Sequence, residues 1–165
     1  MLKKVVCTLA AVGFLTSSVS SFGVSRASLF LVGQVDVIVN LFVNPVLGGI
    51  DTLDIENGET ARLVATVDEE TNNSAGYRID MESVNAGTLE HNNGVANVAY
   101  TIAYDGAVAV AVPAVGAPTA VKTVAGPLTG LTTDNSDVEI TVTAGGAALP
   151  AGAYTDTLIF TMVAL

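Results

Sequence analysis

The sequence predicts an all-β fold, either a β-sandwich or a β-barrel, on the basis of three observations. Turn-forming residues recur at short intervals, the stretches between them are rich in Val, Ile, Thr and Tyr, and no convincing helical periodicity is present. β-Branched and aromatic residues suit a pleated sheet, whereas Gly, Pro, Asn and Asp supply the conformations of tight turns. Strands and turns at this spacing are typical of sandwiches and barrels.

The first 27 residues have the layout of a secretory signal peptide. A basic start at residues 1–4 precedes an apolar stretch at residues 5–15 and a region of small residues at 16–27. Small residues at positions −3 and −1 place cleavage after Ala27, with Ser21 as an alternative site. The apolar stretch is too short to span a bilayer.

Charge and composition narrow the function classes. The chain has 16 acidic and six basic residues, and removal of residues 1–27 leaves Arg62, Arg78 and Lys122 against all 16 acids, a net charge of −13. Phosphate binding needs clustered Lys and Arg, so a nucleic-acid partner is disfavoured. One His and one Cys, Cys7 within the signal peptide, disfavour a zinc site or a Cys/His nucleophile pair. The mature chain also has no disulfide, so its stability must come from burial or from a partner.

The mature N-terminus carries an unusual strand pattern. Polar residues stand at even positions, among them Gln34, Asp36 and Asn40, and this makes the stretch a poor membrane span. Period-two alternation over residues 29–43 predicts a strand. The odd positions are Leu29, Leu31, Gly33, Val35, Val37, Val39, Leu41 and Val43.

Further strands are predicted between the turn sequences that follow. The segment 111–130 is low in complexity and contains three prolines, so we interpret it as a long, partly extended connection inside one domain. The predicted strands cover residues 50–55, 60–67, 76–83, 95–104, 107–112, 138–144 and 153–163.

No candidate chemical site outweighs its simpler interpretation. Asp68-Glu69-Glu70 suggests a cation site, but a contiguous acidic run before a turn favours a solvated loop. His91 precedes Asn92-Asn93-Gly94, which predicts an exposed loop residue. Asp80 and Glu82 share a strand face, as an acid/base pair would, but that face is more simply the wet side. We therefore predict no catalytic residue, no metal and no cofactor.

The C-terminal residues resemble a known family. Residues 150–157 read Pro-Ala-Gly-Ala-Tyr-Thr-Asp-Thr and precede an alternating strand that ends the chain. This ending resembles that of pilin subunits of the chaperone–usher pathway, in particular the alternate-chaperone (colonization-factor) and archaic, spore-coat-U-like branches. Residues 73–81, 85–89 and 98–106 are similar to the central strands of that family, and residues 35–41 to the opening strand of the alternate-chaperone pilins.

The resemblance implies an immunoglobulin-like sandwich that lacks its last strand. In the family, a periplasmic chaperone fills the resulting apolar groove, and the N-terminal extension of the next subunit then replaces it by donor-strand exchange. Residues 28–43 would hold the donor strand and the start of the first body strand, and residues 44–165 the pilin domain. The implied inter-subunit residues are Leu29, Leu31, Gly33, Val35 and Val37 of the donor strand and Tyr154, Leu158, Phe160 and Met162 of the groove and C-terminal strand.

The implied function is that of a structural subunit of a bacterial surface pilus, or fimbria, which supports adhesion and is not an enzyme. Its partners would be neighbouring copies of itself, a periplasmic chaperone, an outer-membrane usher and a tip adhesin. Two alternatives remain open. One is a self-complete secreted β-sandwich that binds a carbohydrate or surface ligand, although four tyrosines and no tryptophan offer little for sugar stacking. The other is a secreted enzyme.

Overall fold

The computed structural model describes residues 28–50 and 52–165, so the predicted signal peptide and Cys7 lie outside it. None of the described residues forms a helix that could cross a membrane. The strands are β1 (Val39–Pro45), β2 (Glu59–Thr71), β3 (Gly76–Ser83), β4 (Thr88–His91), β5 (Asn97–Tyr104), β6 (Val110–Ala111), β7 (Thr119–Ala125), β8 (Thr132–Val142), β9 (Tyr154–Thr155) and β10 (Leu158–Ala164).

These strands form two antiparallel sheets. The larger sheet has the order β1-β2-β8-β5-β4-β9, with β6 beside β5, and the smaller has the order β10-β3-β7. This architecture confirms the predicted all-β sandwich. Among the described residues, 28–36 and those from Val37 onward belong to two separate units, and the sandwich belongs to the second.

Alternating side chains of both sheets form one core. Val67 of β2, Ile102 of β5 and Val138 of β8 face Ile79 and Met81 of β3, and all five are fully buried. Each such side chain stabilises the fold by about 1.5–3 kcal/mol relative to exposure. The period-two pattern of the sequence therefore has its expected cause, since residues two apart share a sheet face.

A buried carboxylate connects the two sheets. Glu69 of β2 is only 2% exposed, and it accepts hydrogen bonds from the hydroxyls of Tyr77 on β3 (2.6 Å), Tyr104 on β5 (2.6 Å) and Ser136 on β8 (2.7 Å). The Lys122 ammonium on β7 lies 3.1 Å from the same carboxylate. A buried charge is tolerated only when it is paired and hydrogen-bonded, and Glu69 meets both conditions.

Lys122 is also held by carboxylates nearer the surface. Its ammonium lies 2.7 Å from Asp134 and 3.1 Å from Asp105. Burial alone would lower the pKa of Lys122, but the hydrogen bonds to Asp134, Glu69 and Asp105 outweigh it and raise this pKa. The hydrogen bond from Lys122 also lowers the pKa of Asp134. The pair of Lys122 and Asp134 therefore stays charged across the neutral pH range.

We expect Lys122→Met to lower the free energy of unfolding by about 3–5 kcal/mol, because Glu69 would remain buried without a cation. Urea denaturation of the purified chain measures this change. Adding Glu69→Gln should recover part of the loss, since the uncompensated charge is then gone. Arg62→Met is the control, because the Arg62 pair with Glu59 is partly exposed and should cost about 1 kcal/mol or less. Equal losses for Lys122→Met and Arg62→Met would contradict a special role for Lys122.

Three buried tyrosines should make the stability of the fold depend on pH in the alkaline range. Burial raises the pKa of Tyr77, Tyr100 and Tyr104, and hydrogen bonds to Glu69 or Asp156 raise it further. The folded state therefore holds these protons more tightly than the unfolded state, whose tyrosines titrate near pH ~10. Their stabilising contribution is present below that pH and is lost as the pH rises above it.

We expect tyrosinate absorbance in a Tyr154→Phe variant to appear only together with loss of the far-ultraviolet β-sheet signal. The Tyr154→Phe change leaves these three tyrosines as the only ones in the chain. Reversible ionisation near pH ~10 with the sheet signal intact would contradict the buried hydrogen-bonded arrangement.

Several predicted strands are correct, and others are not. β3 occupies residues 76–83 as predicted, and Asp105-Gly106 forms the tight turn between β5 and β6, with both residues at positive φ. The predicted strand at residues 50–55 is wrong, because residues 52–54 belong to no strand and a turn begins at residue 55. The predicted connection at 111–130 contains β7, whose Val121 and Val124 pack against the core.

The predicted N-terminal strand divides at residue 39. Residues 28–38 belong to no strand, whereas Val39–Pro45 pairs with β2 through seven residue pairs. The boundary drawn between residues 43 and 44 therefore falls inside β1.

Candidate functional site

An apolar groove lies between the end strands of the two sheets. β1 ends the larger sheet and β10 ends the smaller one, and the two strands are in contact without being paired with each other. The groove encloses about 530 Å³ and has a predominantly apolar floor. Its lining includes Val43, Pro45, Ile50 and Leu53 on the β1 side, Val64, Ala65, Leu89, Tyr100, Val138 and Ile140 on the floor, and Tyr154, Thr155, Asp156, Thr157, Leu158 and Phe160 on the β10 side.

One backbone edge of β10 is unpaired along the groove. β10 pairs with β3 through seven residue pairs, and no strand within residues 28–50 and 52–165 pairs with its other edge. Leu158, Phe160 and Met162 pack against the core but stay partly exposed. An exposed strand edge with apolar side chains is a template for pairing with another chain. The structure thus places three of the predicted C-terminal site residues on this strand, and two of them, Leu158 and Phe160, line the groove itself.

Tyr154, the fourth predicted residue, lies at the end of the groove on β9. Its ring contacts the His91 ring edge-on, with centroids 4.8 Å apart, and its hydroxyl donates to the carbonyl of Pro150 (3.0 Å). Gly152 lies against the imidazole of His91 at φ +155°, and a side chain at this position would collide with that ring. The Gly-x-Tyr spacing therefore lets the backbone pass close to His91 while Tyr154 covers it.

The prediction that His91 is an exposed loop residue is wrong. His91 is the last residue of β4, pairs with Tyr154 on β9 and is 4% exposed. Its Nδ1 accepts a hydrogen bond from the backbone N–H of Asn93, and its Nε2 lies 3.2 Å from the carbonyl of Ala151. The turn begins one residue later than the sequence suggests, so the imidazole belongs to the strand.

Asp156 fixes the start of β10, although the sequence analysis did not select it as a site residue. Its carboxylate accepts hydrogen bonds from the Tyr100 hydroxyl (2.6 Å), the Ser83 hydroxyl (2.8 Å) and the backbone N–H groups of Asn85 and Thr157. These contacts interrupt the predicted strand at 153–163 and divide it into β9 and β10. The signal in the sequence is an acidic residue between two threonines inside an otherwise apolar run.

The acidic residues considered as chemical sites have structural roles. The prediction of a solvated loop at Asp68-Glu69-Glu70 is wrong, because all three lie in β2 and Glu69 is buried between the sheets. Asp80 is also largely buried and pairs with Arg78 at 2.7 Å, so its face of β3 is not simply the wet side. Among the described residues, no group of three His, Cys, Asp or Glu side chains could hold a metal ion.

The predicted donor residues lie in the exposed N-terminal segment. Leu29, Leu31, Val35 and Val37 are each between 62% and 83% exposed. At Gly33, a Cβ atom would meet nothing within 4 Å in the described part of the chain, so this chain alone does not require glycine there. These four apolar side chains in one short segment are therefore left uncovered by the described part of the chain.

Comparisons with known proteins do not identify a family for this chain. No family model and no curated protein matches the chain. Among solved structures, the CupB6 tip adhesin from Pseudomonas aeruginosa is similar over 76% of this chain, with 18% sequence identity and a TM-score of 0.39. The matched region spans 42% of the adhesin chain. A likeness of this size assigns neither family nor function.

We expect Asp156→Asn to destabilise the groove end by about 1–3 kcal/mol, because an amide nitrogen would face the hydroxyl donors that the carboxylate now satisfies. Thermal unfolding monitored by circular dichroism measures the loss. Tyr154→Phe is the matched control, since it removes only the partly exposed bond to Pro150. A loss for Asp156→Asn no larger than for Tyr154→Phe would show that the carboxylate is peripheral.

Proposed function

We propose that this protein is a structural subunit of a chaperone–usher surface pilus, an immunoglobulin-like sandwich without its last strand. Its groove would receive the N-terminal segment of a neighbouring copy by donor-strand exchange. The observation that carries this proposal is the unpaired edge of β10 beside an apolar groove of about 530 Å³. The same chain carries an exposed apolar segment with strand-like alternation, which is the chemistry that such a groove requires.

The N-terminal segment is long enough to pair along the whole unpaired edge of β10. β10 has seven residues, which span roughly 23 Å as a strand. Seven residues of the segment, such as 29–35 or 31–37, cover the same length. An extended segment beside β10 would supply the missing hydrogen-bond partners of its edge, and alternate side chains would point into the groove.

The side chains of the N-terminal segment match the apolar character of the groove. Leu29, Leu31, Val35 and Val37 are apolar, as are most groove residues. A seven-residue match buries three of these side chains, and this stabilises a complex by about 4.5–9 kcal/mol before backbone hydrogen bonds are counted. This is comparable to the whole stability of a domain, so a subunit with a filled groove would be far more stable than one with an open groove. Gly33 would allow the closest backbone approach in the middle of the segment.

The remaining parts of the proposal follow from an open groove in an exported protein. Before assembly, a periplasmic chaperone would cover the groove, and an outer-membrane usher would exchange it for the next subunit. Assembled copies would lie on the cell surface as a fimbrium, where a tip adhesin is a further partner. The role would be structural and adhesive, with no catalytic step.

We expect Val35→Asp to abolish surface fibres while leaving the sandwich folded, because it places an unpaired carboxylate in an apolar groove. Such a charge costs several kcal/mol. The matched control is Gln34→Asp, which adds the same charge at the adjacent position on the opposite strand face. Fibres are counted by electron microscopy of the producing cells, and periplasmic subunit levels control for folding and export.

Two results would contradict the proposal. Intact fibres with both variants would show that the segment is not the donor, and a worse effect from Gln34→Asp would show that its register is shifted by one residue. Ile38 is less suitable as a control, because its backbone N–H and carbonyl both bond to the end of β2 through Asn72 and Thr71. A charge at Ile38 would therefore also disturb the subunit itself.

A further inference from the structure

The groove does not explain all of the apolar residues in the N-terminal segment. Leu29, Phe30, Leu31 and Val32 are four apolar residues in succession, and Phe30 and Val32 are 78% and 56% exposed. In a strand, odd and even positions point to opposite faces. If Leu29 and Leu31 enter a groove, Phe30 and Val32 therefore point away from it. Nothing in the proposed exchange so far requires an apolar side chain at either position.

The outer face of β10 offers a matching apolar strip. Leu158, Phe160 and Met162 pack against the core, so Ile159, Thr161 and Val163 lie on the outer face of the smaller sheet. Ile159 and Val163 are partly exposed. This strip is uncharged and lies along the unpaired edge, whereas the charged residues of this face stand one strand further in, on β3.

We propose that Phe30 and Val32 of a neighbouring copy pack on this strip, so that the docked segment is held on both of its faces. This inference rests on the proposed donor-strand exchange and adds a second contact to it. A strand paired with the free edge of β10 brings its outward side chains beside those of β10, with opposite Cβ atoms about 4.5–5.5 Å apart. A phenylalanine reaches both direct and diagonal neighbours across such a pair, so Phe30 contacts Ile159 or Val163.

The charge pattern of the segment agrees with this occupant. Residues 29–35 contain no charged side chain, and the strip on β10 contains none either. The first polar side chain at an even position is Gln34, so the outer contact covers the part of the segment before it and leaves Gln34 to solvent. A register slip of one residue would place Gln34 and Asp36 in the groove and remove Phe30 from the strip. The outer contact thus also selects the register.

The test uses multimers of the full-length chain isolated from producing cells. Their dissociation rate in a fixed concentration of denaturant is followed by gel electrophoresis. Phe30→Ser should speed dissociation roughly fivefold, the change expected when one cross-strand apolar pair is lost. Gln34→Ser has the same parity and should leave the rate within about twofold, because its side chain already faces water. Leu31→Ser reports on the groove and should speed dissociation more than tenfold.

The partner on β10 is identified with two conservative variants. Val163→Thr and Ile159→Thr keep a β-branched side chain and so preserve the strand. In a chain that already carries Phe30→Ser, one of these two variants should change the dissociation rate less than it does alone, because the contact between Phe30 and the strip is already lost. Coupling of Phe30→Ser to either variant supports the outer contact.

The outcomes separate the two proposals. If Leu31→Ser speeds the dissociation of the multimers while Phe30→Ser leaves the rate unchanged, the proposed outer contact is absent and donor-strand exchange stands. If Phe30→Ser couples to neither variant, the strip on β10 is not its partner and the inference is overturned. If the unsubstituted chain forms no multimers, or Leu31→Ser has no effect, the proposed function itself fails.

Discussion

The unpaired edge of β10 is the constraint on which the rest of the structure depends. Backbone N–H and C=O groups need partners, and a row of them beside apolar side chains forms a template for one more strand. The larger sheet does not supply that strand, because β1 contacts β10 without pairing with it. The groove between β1 and β10 has an apolar floor because core side chains such as Val64 and Val138 line it.

The polar interactions keep the two sheets at a fixed separation around this opening. Glu69 and Lys122 connect the sheets on one side, and Asp156 connects Tyr100 of the larger sheet to Ser83 of the smaller one at the groove end. Each carboxylate is surrounded by donors that point at it, so the connection is rigid and directional. These contacts hold the two sheets together at both places and so oppose closure of the groove between β1 and β10.

The fold class could be predicted from the sequence because alternation and turn residues act locally. Thus β3 and the turn at Asp105-Gly106, between the predicted strands 95–104 and 107–112, are correct, and each is determined by a few neighbouring side chains. The sequence-based predictions are wrong where residues distant in the sequence determine the structure. Glu69 lies in an acidic run, and only Tyr77, Tyr104, Ser136 and Lys122 from four other strands make its burial possible. Likewise, β7 lies in a segment rich in proline and alanine that gives no strand signal, and it forms a strand because it pairs with β3. Asp156 was missed for the same reason.

The central claim is that another copy of the chain completes the edge of β10. Residue-resolved amide hydrogen exchange of Leu158–Ala164, compared between the isolated chain and its multimers, tests this claim most directly. In a strand paired on one side, alternate amides point away from the partner and exchange freely. We predict that these alternate amides of β10 become protected by orders of magnitude in the multimer, while those already bonded to β3 change less. Equal exchange of the β10 amides in both states would contradict the claim.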